Sequence, residues 1–195
     1  MTARRSEDPL SGVFRALVRF LEQAQVPYLV VGGMAQAVIG EPRMTQDVDC
    51  IVFVQPPQVP GLLEGFSSAG FAVDRPGALQ RIESTGTFSV QRGRWRVDII
   101  LASTEFEQSA LQRAQRLRLY DLEVNLPTPE DLIILKLVPG RTKDLLDAQT
   151  VMVRHRDRLD RAYLERWAQR LSDEAQDSRI WETFQRLLKE TDTVA

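Results

Sequence analysis

The sequence predicts a mixed α+β fold, in which a small mixed sheet is flanked by helices and followed by a helical C-terminal part. Short apolar runs rich in β-branched residues, at 48–54 and 95–101, alternate with helical patterns in the first half of the chain. From Thr128 onward, apolar residues recur only at helical spacing. We therefore expect a core over residues 1–127 and a helical part over residues 128–195.

Each element has a local signal in the sequence. In the first half of the chain, apolar periodicity, proline and glycine breaks and β-branched runs predict the order of the helices and strands. The predicted elements are a helix from Pro9 to about Gln25, strand 28–31, helix 34–39, strand 48–54 and helix 61–69. They continue with weaker strands 71–73 and 87–91, strand 95–101, helix 105–116, and one or two strands within 117–126. The second half begins with a helix that Thr128 caps and Pro139-Gly140 ends. A helix from about Thr142 and two amphipathic helices, around Trp167 and Trp181, complete it.

Composition narrows the class of protein. The 195 residues are 43% hydrophobic, which is enough for a compact core, and 25 basic against 27 acidic residues give a net charge of -2. That balance excludes a nucleic-acid coat protein, although it leaves room for a local basic patch. The single cysteine, Cys50, excludes an intramolecular disulfide. Because the charged start precedes no apolar signal region and no run reaches a membrane span, we expect a cytoplasmic protein without a membrane partner.

Three aspartates form a candidate metal site. Asp47 and Asp49 are two residues apart, so in a strand they face the same way, and a neighbouring cation would relieve their repulsion. Asp98 lies within the other strong strand. If the two strands are neighbours, three carboxylates converge, which suits two magnesium ions about 4 Å apart and an in-line displacement at phosphorus. Asp98 would then also accept the proton of the attacking hydroxyl. The alternative is an ordinary acidic strand end.

Two glycines precede this acidic strand. Gly32 and Gly33 follow the strand 28–31 and precede a predicted helix. Glycines there allow a ligand to approach the backbone, and the free amides of a helix start attract phosphate. The alternative is a tight turn without a ligand.

Together these motifs resemble the DNA polymerase β-type nucleotidyltransferases. The resemblance rests on Gly32-Gly33, then Asp47-Val48-Asp49-Cys50, and later Val97-Asp98-Ile99. Arg43, Thr45 and the two aspartates after them are similar to the R-x-[ST]-x-D-h-D motif of small bacterial AbiEii-like and DUF6036-like nucleotidyltransferases. Leu135-Lys136-Leu137 and Arg141-Thr142-Lys143-Asp144, with Asp147 beyond, resemble their later signatures.

The resemblance implies an NTP and magnesium as cosubstrates, with Asp47, Asp49 and Asp98 as metal ligands and catalytic residues. It also implies that Lys136 and Lys143 contact the triphosphate, and that Asp144 binds nucleotide or orients a lysine. Arg43, Thr45 and both glycines complete the implied nucleotide site. Many relatives have a serine where this chain has Gly33, which leaves only backbone donors in that turn. The alternative for the later signature is a solvated helix start with a Lys143–Asp147 ion pair.

The leading hypothesis is transfer of a nucleotidyl group from an NTP to an acceptor hydroxyl. The acceptor could be an RNA end such as tRNA or a hydroxyl of a partner protein, as in AbiEii-like toxins, whose cognate antitoxin would be a further partner. It could also be an aminoglycoside. A non-catalytic nucleotide-binding antitoxin or regulator is the competing class. Two groups of arginines are candidate phosphate contacts: Arg113, Arg116 and Arg118, and Arg154, Arg156, Arg158 and Arg161.

Overall fold

The structure, a computed structural model, describes residues 9–193. The charged start of the chain therefore lies outside the described residues. These residues form two compact units. One unit comprises the described residues up to Met34 together with Met44–Leu126, and the other comprises Ala35–Arg43 together with the described residues from Pro127 onward. None of the helices within residues 9–193 has the length and apolar character needed to cross a membrane.

The first unit contains both sheets. Its helices are α1 (Pro9–Gln23), the start of α2 (Gly32–Ile39), α3 (Val59–Ser68), α4 (Arg75–Thr85) and α5 (Glu105–Gln112). Its strands are β1 (Tyr28–Val31), β2 (Val48–Val52), β3 (Thr87–Arg92), β4 (Trp95–Leu101), β5 (Gln115–Leu119) and β6 (Leu122–Leu126). The four-stranded sheet has the order β1-β2-β4-β3, and β5 and β6 form a separate hairpin. Strands β2 and β4 are parallel, whereas the pairs β1–β2 and β3–β4 are antiparallel.

The register of β2 and β4 separates an apolar face from an acidic face. Val48 lies opposite Val97 and Cys50 opposite Ile99, and all four side chains are buried. Because side chains alternate along a strand, the residues between them face the other way. Helix α3 covers the apolar face through Phe66, whose ring lies 5.8 Å from that of Phe88 on β3. The carboxylates therefore occupy the face opposite to α3.

The second unit is helical apart from the segment that follows α2. Its further helices are α6 (Pro129–Leu137), α7 (Thr142–His155), α8 (Arg161–Ala175) and α9 (Arg179–Thr193). Thr128 caps α6 as expected, because its hydroxyl accepts the amide of Asp131 at 3.1 Å. The fully buried Asp131 carboxylate in turn accepts the hydroxyl of Tyr163 at 2.5 Å. This buried bond fixes α6 against α8.

The mixed α+β fold class is confirmed, and most predicted elements form within a few residues of their expected ends. Some details are wrong. The predicted strand 71–73 is reduced to a single bridge between Ala72 and Gln91, and the helix expected to reach residue 116 ends at Gln112. The sequence interpretation missed α4 entirely. Strand β2 begins at Val48, so Asp47 lies just before the strand rather than within it.

Candidate functional site

Two of the three candidate metal ligands lie side by side in the sheet of the first unit. Asp49 of β2 is the register partner of Asp98 of β4. Both side chains are half-buried, and both occupy the acidic face. Asp47 is also half-buried and immediately precedes β2. Neighbouring parallel strands thus bring together acids that are about fifty residues apart in sequence.

Asp98 is engaged at both of its oxygens. Its Oδ1 accepts the hydroxyl of Ser89 at 2.6 Å, and Ser89 lies opposite Asp98 in the β3–β4 register. Its Oδ2 accepts Nε and Nη2 of Arg96 at 3.0 and 2.7 Å. Arg96 precedes Asp98 by two residues in the same strand and so emerges on the same face. The guanidinium and the carboxylate form a fork-like ion pair that remains partly open to solvent.

The guanidinium of Arg96 lies in the electrostatic field of all three aspartates. The hydrogen bonds that Arg96 donates to Asp98 and the charge of Asp98 raise the pKa of Arg96, and the charges of Asp47 and Asp49 raise it further. A positive charge carried by the chain itself therefore offsets part of the negative charge of this acidic face. Such a cation relieves the repulsion between adjacent carboxylates, which is the role that the sequence assigns to a metal.

The donor chemistry of this face fits a hard divalent cation. All three acids offer carboxylate oxygens, which Mg²⁺ prefers as ligands. The guanidinium of Arg96 shows that this face already binds a positively charged group. Within residues 9–193, however, no three His, Cys, Asp or Glu side chains are arranged as ligands around one point. The three acids have the side-chain type that a magnesium site requires, and they lie on or next to adjacent strands. Asp98 would have to release Arg96 before it could bind a metal.

The glycine pair packs directly against this acidic face. Gly32 and Gly33 are the first residues of α2 rather than a separate turn before it. Gly32 has a φ of 63°, and a Cβ on it would overlap the carboxylate of Asp49. A Cβ on Gly33 would lie 2.7 Å from Oγ1 of Thr45. Both positions exclude larger residues for steric reasons, so the helix start and the acidic strand form one packed feature.

Thr45 connects the glycines to the first aspartate. Its hydroxyl donates to the carbonyl oxygen of Asp47 at 3.0 Å. The hydroxyl oxygen of Thr45 lies where a side chain at position 33 would have to fit. Thr45 therefore braces the turn before β2, and its size accounts for a glycine at position 33.

The remaining candidates belong to the second unit, where they form a buried charge network. The ammonium of Lys136 donates to Oδ1 of Asp144 at 3.1 Å and to Oδ2 of Asp147 at 2.7 Å. Arg43 donates to Asp147 through Nε and Nη2, each at 3.0 Å from a carboxylate oxygen. Lys136, Asp144 and Asp147 are all buried. The network joins the segment after α2 to α6 and α7.

Asp147 is the centre of this network. Burial on its own raises the pKa of Asp147, but the hydrogen bonds and charges of Arg43 and Lys136 outweigh it and leave that pKa below its usual value. Asp144 has a second cation, because Nε of Arg141 lies 3.1 Å from its Oδ2, although without hydrogen-bond geometry. Lys143 is exposed on α7. Asp147, which the alternative interpretation of this helix start paired with Lys143, pairs with Arg43 and Lys136 instead.

Three participants were not among the predicted site residues. Arg96 could have been inferred, because a residue two positions before Asp98 shares its face of the strand. Ser89 could not, since its contact depends on the β3–β4 register. Asp147 appeared in the sequence only as the end of a motif, and its pairing with Arg43 joins residues far apart in the chain.

Paired acids on adjacent parallel strands, with a glycine-started helix packed against them in a small mixed sheet, define a small nucleotidyltransferase-type protein. A comparison with protein-family models agrees. The chain belongs to the family DUF6036, described as a nucleotidyltransferase of unknown function, whose model matches residues 9–192. No curated protein is similar enough to count as a match.

Two solved structures of ANT(2")-Ia share the fold at low sequence identity. A crystal structure of ANT(2")-Ia in complex with adenylyl-2"-tobramycin matches with a TM-score of 0.56 and 12% identity, covering 84% of this chain and 99% of that one. A solution structure of ANT(2")-Ia, an antibiotic-resistance factor, matches with a TM-score of 0.57 and 11% identity over 85% and 92% of the two chains. An antigenic nucleotidyltransferase-like protein from Paracoccidioides brasiliensis is 17% identical over 92% and 94%, with a TM-score of 0.46.

Proposed function

We propose that this nucleotidyltransferase moves a nucleoside monophosphate from an NTP to an acceptor hydroxyl, with Asp47, Asp49 and Asp98 at the reacting centre. The observation that carries the proposal is the register pairing of Asp49 with Asp98 beside the glycine start of α2. In the reaction the acceptor oxygen bonds to the α-phosphorus. The bond from that phosphorus to the bridging oxygen of the β-phosphate breaks, and pyrophosphate leaves. The hydroxyl proton passes to a carboxylate, for which Asp98 is the candidate.

The three aspartates would hold magnesium, with two ions as the expected number. Bound magnesium would polarise the α-phosphate and lower the pKa of the acceptor hydroxyl. The chain's own part is to keep these carboxylates adjacent, which the neighbouring positive charge of Arg96 favours. The amides at Gly32 and Gly33 would donate to phosphate oxygens, because a helix start without side chains lets an anion approach. Thr45 would hold Asp47 in place through its bond to the Asp47 carbonyl.

In the second unit, exposed Lys143 is the candidate for a direct triphosphate contact. Lys136 and Asp144 are buried and bound to each other, which supports a role in fixing the start of α7 rather than direct contact in this state. Arg43 would act in the same way through Asp147. These assignments rest on burial and hydrogen bonding. They give exposed Lys143 a direct contact with the nucleotide and buried Lys136 a structural role.

The acceptor class is the finer part of the proposal. The resemblance to AbiEii-like proteins favours an RNA end or a protein hydroxyl, with a cognate antitoxin as a further partner. The shared fold with ANT(2")-Ia, whose crystal structure contains adenylyl-2"-tobramycin, supports a small aminoglycoside as the second candidate. A non-catalytic nucleotide binder is the remaining alternative, and the intact set of three aspartates favours an enzyme over it.

Label transfer distinguishes these possibilities. The protein is incubated with each α-labelled NTP and magnesium, and with total tRNA, a mixed protein fraction or tobramycin as acceptor. Transfer to one acceptor class that requires an NTP and magnesium supports the enzyme and names the class. Nucleotide binding without transfer to any acceptor or release of pyrophosphate contradicts the catalytic proposal.

Two aspartate variants provide the matched comparison. Asp49→Asn keeps the shape of the side chain but removes its charge, and we expect transfer to fall at least about a hundredfold. Asp157→Asn changes an 89% exposed side chain in the second unit and should leave transfer unchanged. Equal activity of the two variants would show that the paired aspartates are not the reacting centre.

A further inference from the structure

A groove of about 770 Å³ runs along the first unit, on a surface to which none of the predicted site residues contributes. Helices α1 and α3 and the end of β3 form its walls. Eleven residues line it, of which three are arginines (Arg15, Arg19 and Arg92) and none is an aspartate or glutamate. In a chain whose net charge is -2, this is a local concentration of positive charge.

The arginines are positioned to act together. Arg15 and Arg19 are four residues apart on α1, so they emerge on one side of the helix with their Cα atoms about 6 Å apart along its axis. Like charges at this spacing repel each other and destabilise a helix. An anion bound between them would relieve that repulsion.

Arg92 supplies the third charge from the other side. Its guanidinium donates to the carbonyl oxygen of Ala69 at 3.2 Å and lies 5.6 Å from the ring centre of Phe71. These contacts orient an exposed side chain at the groove edge. Asp121 is not among the lining residues, and its carboxylate accepts a hydrogen bond from Nε of Arg15 at 2.8 Å. The lining itself carries three positive charges and no negative charge.

Small residues make up part of the groove lining. Glycine or alanine occupies five of the lining positions: Gly12, Ala16, Ala24, Gly65 and Ala69. No atom would lie within 4 Å of a Cβ at Gly12, so open space adjoins that position. The ring of Phe20 also lines the groove and adds an aromatic surface. A lining that combines small residues, arginines and an aromatic ring suits a phosphodiester strand, whose bases stack on aromatic rings.

The groove is separate from the acidic face. Phe66 of α3 packs on Phe20 of α1, with ring centres 4.7 Å apart, and on Phe88 of β3. These helices therefore cover the apolar face of the sheet, whereas Asp49 and Asp98 lie on its opposite face. A ligand in the groove would not compete with a nucleotide at the carboxylates.

Three of the seven arginines that the sequence suggested as phosphate contacts have partners elsewhere. Arg116 bonds to Glu22 at 2.5 Å, and Arg161 forms a two-bond pair with Asp192. Arg154 donates to the carbonyl oxygen of Gly40. The groove arginines also have contacts, but all three line one concave surface whose lining includes no carboxylate.

From this geometry we infer that the groove between α1 and α3 binds a single-stranded nucleic acid through its phosphates, at a site distinct from the acidic face. Arg15 and Arg19 contact successive phosphates from one side, and Arg92 contacts the strand from the other. The inference does not depend on the proposed transfer reaction. Binding is expected without an NTP or a metal.

The test is fluorescence anisotropy of a fluorescein-labelled oligouridylate with the full chain, at a series of salt concentrations and without NTP or metal. Wild type should bind with an affinity that falls as salt rises, because counterions are released from the phosphates. Arg19→Glu and Arg92→Glu should each weaken binding about tenfold and reduce the salt slope by about one. Failure of the wild type to bind, or binding that neither variant changes, overturns the inference.

Three controls make the result specific. Arg81→Glu reverses an exposed arginine of α4 that does not line the groove, and it should bind like wild type. Asp49→Asn should also bind like wild type, so failure of the transfer reaction and failure of the groove are separable. An abasic oligodeoxyribose phosphate of the same length should compete less well than unlabelled oligouridylate, because it carries the same backbone charges but has no bases to stack on Phe20. If the abasic strand competes equally well, the groove is a general polyanion site and the nucleic-acid assignment is wrong.

Discussion

Asp49 and Asp98 are opposite one another in two parallel strands, and Asp98 accepts hydrogen bonds from Arg96 of its own strand. The pairing places two negative charges on the same face of a sheet. The guanidinium compensates them without leaving its own strand. A metal–nucleotide complex would have to displace this internal cation, so Arg96 is expected to compete with metal ions for the carboxylates.

Replacing Arg96 should therefore strengthen metal binding. In Arg96→Gln the guanidinium is lost, and we expect Mn²⁺, as a magnesium substitute, to bind up to about fivefold more tightly to the nucleotide-free protein. This corresponds to about 1 kcal/mol, the upper value for a solvent-exposed ion pair. Isothermal titration or electron paramagnetic resonance of Mn²⁺ measures it directly. The control is Arg94→Gln, which changes an exposed neighbour that stacks on Trp95. Weaker Mn²⁺ binding in Arg96→Gln would mean that Arg96 supports the metal site rather than competing for it.

Gly32 should tolerate no side chain. Gly32→Ala places a Cβ against the carboxylate of Asp49 and strains a residue with a φ of 63°. We expect the free energy of unfolding to fall by about 2–4 kcal/mol, measured by urea denaturation. Gly12→Ala is the matched control, because it lies in a helix with open space around it and should gain up to about 1 kcal/mol. A stable Gly32→Ala protein would show that the helix start can move away from the acidic strand.

Cys50 should be chemically silent in the native protein. The thiol is completely buried in β2, and burial raises its pKa well above its usual value. Because the thiolate is the reactive form, we expect a thiol reagent to react at least about a hundredfold more slowly with native protein than with protein in urea. Rapid native labelling would contradict the placement of β2 at the centre of the sheet.

The sequence determines the strong elements well because their signals are local. Strands β1 and β4 have the predicted ends, since each is an apolar run bounded by polar or turn-forming residues. Helix α4 was missed because Ala78 is its one buried residue, so it has almost no apolar periodicity to detect. Its end signals were present nonetheless: Asp74 caps its first turn and Gly86 ends it in the left-handed conformation.

The candidate site was predictable in its residue types but not in its contacts. The D-x-D motif and the later aspartate identify Asp49 and Asp98, but their adjacency follows from a parallel pairing between distant strands. The sequence gives no local sign that Ser89 bonds to Asp98. Likewise, Lys136 appears in the sequence as a free cation, whereas tertiary packing buries it between two carboxylates.

The buried network around Asp147 yields a prediction about pH. Asp147→Asn removes the charge that Arg43 and Lys136 both contact, and we expect a loss of about 2–3 kcal/mol in unfolding free energy at pH 7. Because the folded-state pKa of Asp147 is lowered, its contribution is complete above the unfolded pKa of about 4 and declines as pH falls through the folded value. The difference between wild type and Asp147→Asn should therefore shrink below about pH 4.

Urea denaturation at pH values from neutral to acidic measures this difference. Asp157→Asn is the control, since its 89% exposed carboxylate should change stability by less than about 0.5 kcal/mol at any pH. A deficit in Asp147→Asn that stays constant into the acidic range would mean that the lost stability comes from packing and not from the ionised carboxylate. In that case Arg43 and Lys136 would be held by their remaining contacts, and Asp147 would not be the electrostatic centre of the network.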